Sequence, residues 1–417
     1  MLSTLALFAA GLSFSLRAGI IGAIEREILI GIDADHAREL AGALLGAAFS
    51  GFAFTLLLGS IILDRVGMGR TLVLCSICFI GGTSLSIAAP ELAAGDAVYR
   101  LLRAGFLLSG LGWGLMEAAV NPLTAALYPD DKTNRLNILH AWWPAGLMVG
   151  GLAALGLGAL GIGWQGQFAL VILPSLASIA LCIGTPFPRT ERAAAGIGWG
   201  EMFDELLRRP MFVVWWVCMF LTAAAELAPG QWIDLTLTRT LGMRGIWLLI
   251  YVSGMMFVLR HFAGPIAHRV APIGMLWGSV AIATVGLVLL SLANSPATGL
   301  LAATVWGLGV CFLWPTMLAN VSERYPRGGE LFIGLLGFAG AMAIQFVLPA
   351  LGRIFDDARH AAAGGPAALA ALSGEPLEAV LRSASTSSFQ TLAWFPAVLI
   401  VGFGVIWLYD RSHPTPR

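Results

Sequence analysis

Four ionisable side chains, Arg17, Glu117, Glu226 and Arg260, stand deep inside long apolar stretches of this 417-residue chain. An ionised group at the centre of a bilayer is costly, so such residues face a cavity, pair with one another, or handle a transported ion. Glu117 sits in M-E-A-A-V-N-P (116–122). A carboxyl in a water-poor cavity is favoured as the neutral acid, which brings proton exchange within reach of cellular pH. Asn121 lies one turn further on the same helical face, where it could hydrogen-bond a hydroxylated solute or tie two helices together. Asn137 and His140 form a second polar pair at helical spacing, and His140 can titrate near neutrality. The stretch E-L-A-P-G-Q-W-I-D (226–234) places Glu226, Gln231 and Trp232 around a Pro229-Gly230 pair that loosens a helix and frees backbone groups. Trp143, Trp232 and Trp314 are the tryptophans placed to stack on the apolar face of a small solute.

The elements that must hold these residues are set by composition. Hydrophobic residues make up 58% of the chain and charged residues 12%, with a mean hydropathy of +0.83. That leaves too little polar surface for a water-soluble domain. The 24 Lys+Arg balance 24 Asp+Glu, which excludes a basic nucleic-acid binder. A spanning helix needs about 20 mainly apolar residues. Twelve runs meet that pattern, over 2–24, 41–63, 70–90, 101–128, 135–160, 163–186, 211–235, 245–267, 272–293, 297–320, 331–352 and 389–409. The first has no basic residue ahead of its apolar stretch and carries Arg17, so it reads as a span and not a signal peptide. With the N-terminus inside, the inner loops hold 13 Lys/Arg and the outer loops 9, a bias that favours cytoplasmic termini. W-G-E-M-F-D-E-L-L-R-R, between 187 and 210, reads as an amphipathic surface linker. The Ala-, Gly- and Ser-rich stretch from Arg353 to Ser388 reads as an outer loop. Cys75 and Cys78 form a C-x-x-C, but within an apolar run they read as small hydrophobes, and no cysteine or histidine spacing suggests a metal.

The chain repeats itself. G-L-G-W-G-L-M-E-A-A-V-N-P-L-T-A-A-L-Y-P (110–129) matches G-L-G-V-C-F-L-W-P-T-M-L-A-N-V-S-E-R-Y-P (307–326) at an offset of 197 residues. L-D-R-V-G (63–67) matches A-H-R-V-A (267–271) at 204, and A-G-L-M (145–148) matches A-G-A-M (339–342) at 194. Three matches in order at nearly one spacing predict two homologous six-helix halves. By this repeat Trp314 is the counterpart of Glu117, and His268 stands where the first half has Asp64. Over its whole length the sequence resembles the major facilitator superfamily. S-I-I-L-D-R-V-G-M-G-R (60–70) is similar to that superfamily's G-x-L-x-D-R-x-G-R-R loop. Within it, M-E-A-A-V-N-P, L-N-I-L-H-A-W-W-P-A-G (136–146) and W-P-T (314–316) resemble motifs of the fucose:proton symporter group.

The resemblance implies an all-α membrane protein with twelve transmembrane helices, in which helices 1, 4, 7 and 10 line a central cavity. It implies that Glu117 carries the coupling proton. The family's acid in the first helix has no aligned counterpart here, where Arg17 stands. Arg17 and Glu117 differ in depth by roughly 10 Å at 1.5 Å rise per residue, so they are expected to pair, either as a proton-dependent switch or as a permanent structural bridge. Asn121, Asn137, His140, Trp143, Glu226, Gln231, Trp232 and Trp314 are the expected solute contacts. His140 occupies a position where the family has Gln, and Trp143 one where it has Asn. The loop with Asp64, Arg65 and Gly67 is implied to latch the inward side: Gly67 permits the tight turn, and Asp64 favours the positive end of the next helix. Arg260, four residues before Gly264, is expected to brace the inner gate.

The expected organisation is an N-terminal six-helix half (1–186), a cytoplasmic linker (187–210) and a C-terminal half (211–417). The expected function is proton-coupled symport of a sugar or similar small polar metabolite across the inner (plasma) membrane. The alternatives are a proton-linked exporter or permease for another solute and, in a different class, a non-transporting sensor. No ATP-binding loop, protease motif or metal spacing occurs, so neither an enzyme nor a cofactor is expected. The expected partners are the solute, protons and lipid, with no nucleic acid, and a monomer.

Overall fold

The computed structural model describes residues 1–33 and 37–412; the side chains at 38, 39, 234, 235, 239, 267 and 268 lie outside that description. The reading of His268 falls among them. Among the described residues there is no strand, and twelve helices cross the bundle.

They are α1 (Leu2–Ile24), α2 (Ala37–Val66), α3 (Met68–Leu92), α4 (Asp96–Leu127), α5 (Lys132–Ala159) and α6 (Trp164–Ala169 with Ile172–Cys182). After the linker come α7 (Met211–Leu241), α8 (Ile246–Arg260 with Ala263–Val270), α9 (Pro272–Leu292), α10 (Pro296–Val310 with Leu313–Arg324), α11 (Gly329–Ala363) and α12 (Gly374–Ser412). Ten of these are long and apolar enough to cross a membrane over their described length. The remaining two are α4, which carries Glu117 and a charged first turn, and the broken α8.

Several boundaries differ from expectation. α1 continues through a π-helical turn (Glu25–Leu29) to Ile32, because alternating Glu and Arg extend it beyond the apolar run. The stretch expected to be an outer loop is mostly helical. α11 runs on to Ala363, a short helix covers Pro366–Ala371, and α12 begins at Gly374. Alanine has the highest helix propensity, and the breaks fall where the chain needs a positive φ: Gly364 at +84°, Gly365 at +122° and Gly374 at +60°. The linker forms a four-residue helix (Glu191–Ala194) and the amphipathic Trp199–Arg208 helix.

Small residues let the helices approach. Gly51, Gly110 and Gly114 seat α2 against the backbone of α4, while Gly11 and Gly146 seat α1 against α5. Two seams join the halves. Along one, α2 packs on α11, with Ser60 and Leu56 against Gly334 and Gly337, and with the Ser50 hydroxyl donating to Gln345 Oε1 at 3.1 Å. Along the other, α5 packs on α8, with Gly151 against Ile250 and Met148 against Gly254. The face carrying Leu2 and Ser412 is called proximal here and the opposite face distal.

Candidate functional site

Where the seams meet α4, α7 and α10, a polar cluster is buried at mid-depth. Glu117 is 4% exposed. Its Oε2 accepts from Asn121 Nδ2 at 2.6 Å, and the same amide group donates to the Glu117 carbonyl at 3.0 Å. The Asn121 Oδ1 then meets His140 Nε2 of α5 at 2.9 Å, and that nitrogen lies 3.9 Å from the Glu117 carboxylate. Glu117, Asn121 and His140 thus form one hydrogen-bonded group. The helical spacing of the first two and the α4–α5 packing bring the third within reach.

Arg17 is not part of it. No ion pair or hydrogen bond joins it to Glu117, and its Nη1 has no partner among the described residues, although the residue is only 3% exposed. An aromatic layer separates the two. Phe14 meets Trp113 at 6.0 Å and Trp143 at 5.3 Å between ring centroids. Trp113 stacks on Trp143 at 4.8 Å and on Phe52 at 4.1 Å. α1 and α4 run in opposite directions, so Arg17, three residues past Phe14, lies distal to this layer. Glu117, four residues past Trp113, lies proximal to it. The axial gap is about 10 Å, as anticipated, but tryptophan and phenylalanine rings fill it, which removes the expected pairing.

The guanidinium that does find a carboxylate is Arg260. It is 1% exposed, and its Nη2 donates to Glu226 Oε1 at 2.9 Å. Its Nε donates to the Cys311 carbonyl of α10 at 2.6 Å, and its Nη1 to the His140 carbonyl of α5 at 2.8 Å. The second carboxylate oxygen of Glu226 accepts from the Trp314 backbone N–H at 3.2 Å, capping the start of the second α10 segment. Arg260 therefore lies at mid-depth and spans both halves.

The remaining expected contacts are distributed around this centre. Asn137 donates to the Thr133 carbonyl at 2.8 Å and to Thr316 Oγ1 of α10 at 3.3 Å, so it also crosses between halves. The Trp314 ring tilts toward Phe52 at 6.5 Å. Trp143 belongs to the aromatic layer. Trp232 lies two turns distal of Glu226, edge-on to Phe355 at 6.2 Å, and neither its indole N–H nor Gln231 Nε2 has a hydrogen-bond partner among the described residues. These two do not touch the central cluster. Phe14, Phe52, Trp113 and Phe49, which meets Trp113 edge-on at 5.3 Å, fall outside the expected site residues; the aromatic at 113, one turn before Glu117, is the available signal.

On the proximal face Asp64 does not serve the start of α3. It sits in the last turn of α2 and pairs with Arg192 of the linker, and it also accepts from Thr190 at 2.8 Å. Arg192 donates to Glu330 at the start of α11 at 3.0 Å, so one linker arginine ties both halves. Arg65 lies over the Trp199 ring at 4.9 Å. Gly67 adopts φ +89° before α3. Thr133 and Glu323 join α5 to α10 at 3.0 Å.

A twelve-helix bundle of two halves closed around a buried polar cluster is the architecture of a membrane transporter family. The chain belongs to the Major Facilitator Superfamily, whose family model matches residues 4–344. It is 25% identical over 272 residues to a protein described as a probable sugar efflux transporter of Mannheimia succiniciproducens. That match covers 64% of this chain and 66% of the relative, just under two thirds of the relative's length. Among solved structures it resembles the proton:xylose symporter XylE, with a TM-score of 0.73, 15% identity, and coverage of 98% of this chain and 94% of that one. It also resembles the E. coli fucose:proton symporter FucP, with a TM-score of 0.63, 16% identity, and coverage of 94% and 98%. At these identities the likeness concerns the fold.

Proposed function

We propose that the protein is a proton-coupled symporter of a sugar or similar small polar solute, working by alternating access. Residues 1–186 and 211–417 are the two bodies that rock, joined by the 187–210 linker, and the proximal face with both termini is cytoplasmic, in the inner membrane. The observation that carries this reading is the Glu117–Asn121–His140 cluster: an acid at membrane depth held by the Asn121 amide, with no arginine or lysine in contact. Such an acid can exchange a proton without leaving an unpaired countercharge behind. The solute lies against the aromatic layer around Trp143 and Trp314, which supplies flat apolar faces, and against Asn121, Asn137 and His140, which supply hydrogen bonds. Asp64 and Arg65 close the cytoplasmic side through Arg192 and Trp199. The similar proteins, a probable sugar efflux transporter and two sugar:proton symporters, support this solute class.

A second reading, proton-linked export, is favoured by one observation, the relative named for efflux. Purified protein in liposomes separates the two. An inward proton gradient is expected to drive sugar accumulation in the gradient's direction, whereas accumulation against it marks the exporter. Absence of flux with any hexose or pentose, despite ligand-dependent conformational change, would make the protein a sensor.

A further inference from the structure

Arg260 is held by two backbone carbonyls that ought to be engaged in helical hydrogen bonds. In an α-helix the carbonyl of residue i accepts from the N–H of residue i+4. For His140 that residue is Pro144, and for Cys311 it is Pro315, and proline has no N–H to give. Both freed acceptors are deeply buried, where an unsatisfied carbonyl is costly. Arg260 fills both, Nη1 on His140 and Nε on Cys311, while Nη2 holds Glu226. The same device recurs a turn away: Pro229 frees the Ala225 carbonyl, and Trp306 Nε1 donates to it at 3.1 Å. The Trp306 contact stays inside the C-terminal half. So does the Arg260 contact with Cys311 of α10, whereas the contact with His140 of α5 crosses to the N-terminal half.

We infer that Pro144 and Pro315 build a two-part socket for Arg260, in which the Cys311 carbonyl anchors the arginine on its own half and the His140 carbonyl is a latch holding the two halves together on the proximal side of the aromatic layer. His140 lies three residues proximal of Trp143 on α5, so the bond to Arg260 must break whenever the bundle opens to the proximal face. The socket on the N-terminal half is a neutral carbonyl. Release therefore leaves no charge stranded in that half, and Arg260 keeps its Glu226 countercharge throughout. A direct carboxylate in place of the His140 carbonyl would make opening far costlier. A hydroxyl of a bound solute can take over the vacated carbonyl, which links solute occupancy to release. This inference rests on the alternating-access reading only in requiring that the halves separate.

The test restores the missing donor. Pro144→Ala supplies an N–H that competes with Arg260 for the His140 carbonyl and leaves every polar side chain in place. Amide hydrogen exchange of the full-length protein in lipid nanodiscs reads the proximal halves of α4 (119–127) and α10 (316–324). Exchange there is expected to quicken about tenfold, the factor for replacing one charge-assisted hydrogen bond by a neutral one. Pro315→Ala competes for the Cys311 carbonyl that anchors Arg260 on its own half, and is expected to act in the same direction but more weakly. Pro396→Ala, in α12 away from the socket, is expected to match the unmodified protein. Exchange that is unchanged or slower in Pro144→Ala would overturn the latch. So would an undiminished effect of Pro144→Ala in an Arg260→Met, Glu226→Gln background, where no arginine remains to displace. None of these readouts requires transport, so a failure of the symport reading and a failure of the latch are distinguishable.

Discussion

The two buried acids of the central site keep different company. Glu117 in the N-terminal half is held by the Asn121 amide, which in turn meets the His140 imidazole, with no arginine or lysine in contact. Glu226 in the C-terminal half is held by a guanidinium and a helix-start N–H. The homologous halves thus bury their acids differently. One holds an acid with no arginine or lysine in contact, and the other holds a fixed ion pair whose arginine also reaches across the seam. The repeat shows how: the position of Glu117 in α4 is occupied in α10 by Trp314, whose backbone serves the Glu226 carboxylate.

The division can be broken most severely at its fixed side. Arg260→Ala strands the Glu226 charge and two buried carbonyls, and is expected to cost about 3–5 kcal/mol, seen as a large fall in thermal unfolding temperature or loss of folded protein. Arg260→Met together with Glu226→Gln removes both charges and is expected to recover much of that loss. Equal instability of the single and the double variant would contradict the ion-pair account.

At Glu117 the expected effect is functional and not structural. Glu117→Gln keeps an acceptor for Asn121, so stability is expected to stay within about 1 kcal/mol of the parent. Proton-driven accumulation in liposomes is expected to vanish while solute counterflow persists. Uphill uptake that survives in this variant would move the coupling role elsewhere. His140→Ala deprives Asn121 Oδ1 of its partner and is expected to cost about 1–3 kcal/mol, with His140→Gln restoring most of it, as read by thermal unfolding. The smallest effect is expected within the C-terminal half alone. Trp306→Phe leaves the Ala225 carbonyl unserved and should lower stability by about 1 kcal/mol without changing the proton dependence of transport.

Much of this was legible in the chain. Twelve apolar runs and the 197-residue echo of helix 4 in helix 10 suffice for the architecture, since span length and repetition are properties of sequence. The Glu117–Asn121 contact follows from a four-residue spacing, which the geometry of one helix fixes. The Arg353–Ser388 stretch was misread because its alanines are neither apolar enough for a span nor polar enough for a loop, yet they are strong helix formers. The Arg17–Glu117 pairing failed for a different reason. Depth along two helices can be counted from sequence, but what fills the space between them cannot.

By itself the sequence determined which groups lie at membrane depth, that the chain is built twice, and that Pro229 with Gly230 loosens a helix. Tertiary structure decided the partners: Arg260 rather than Arg17 meets a carboxylate, an aromatic layer parts Arg17 from Glu117, and a linker arginine ties Asp64 to Glu330. Local spacing fixes contacts within one helix, because a helix has one geometry. Contacts between helices depend on how distant faces rotate and pack, and those degrees of freedom are settled only when the whole bundle assembles.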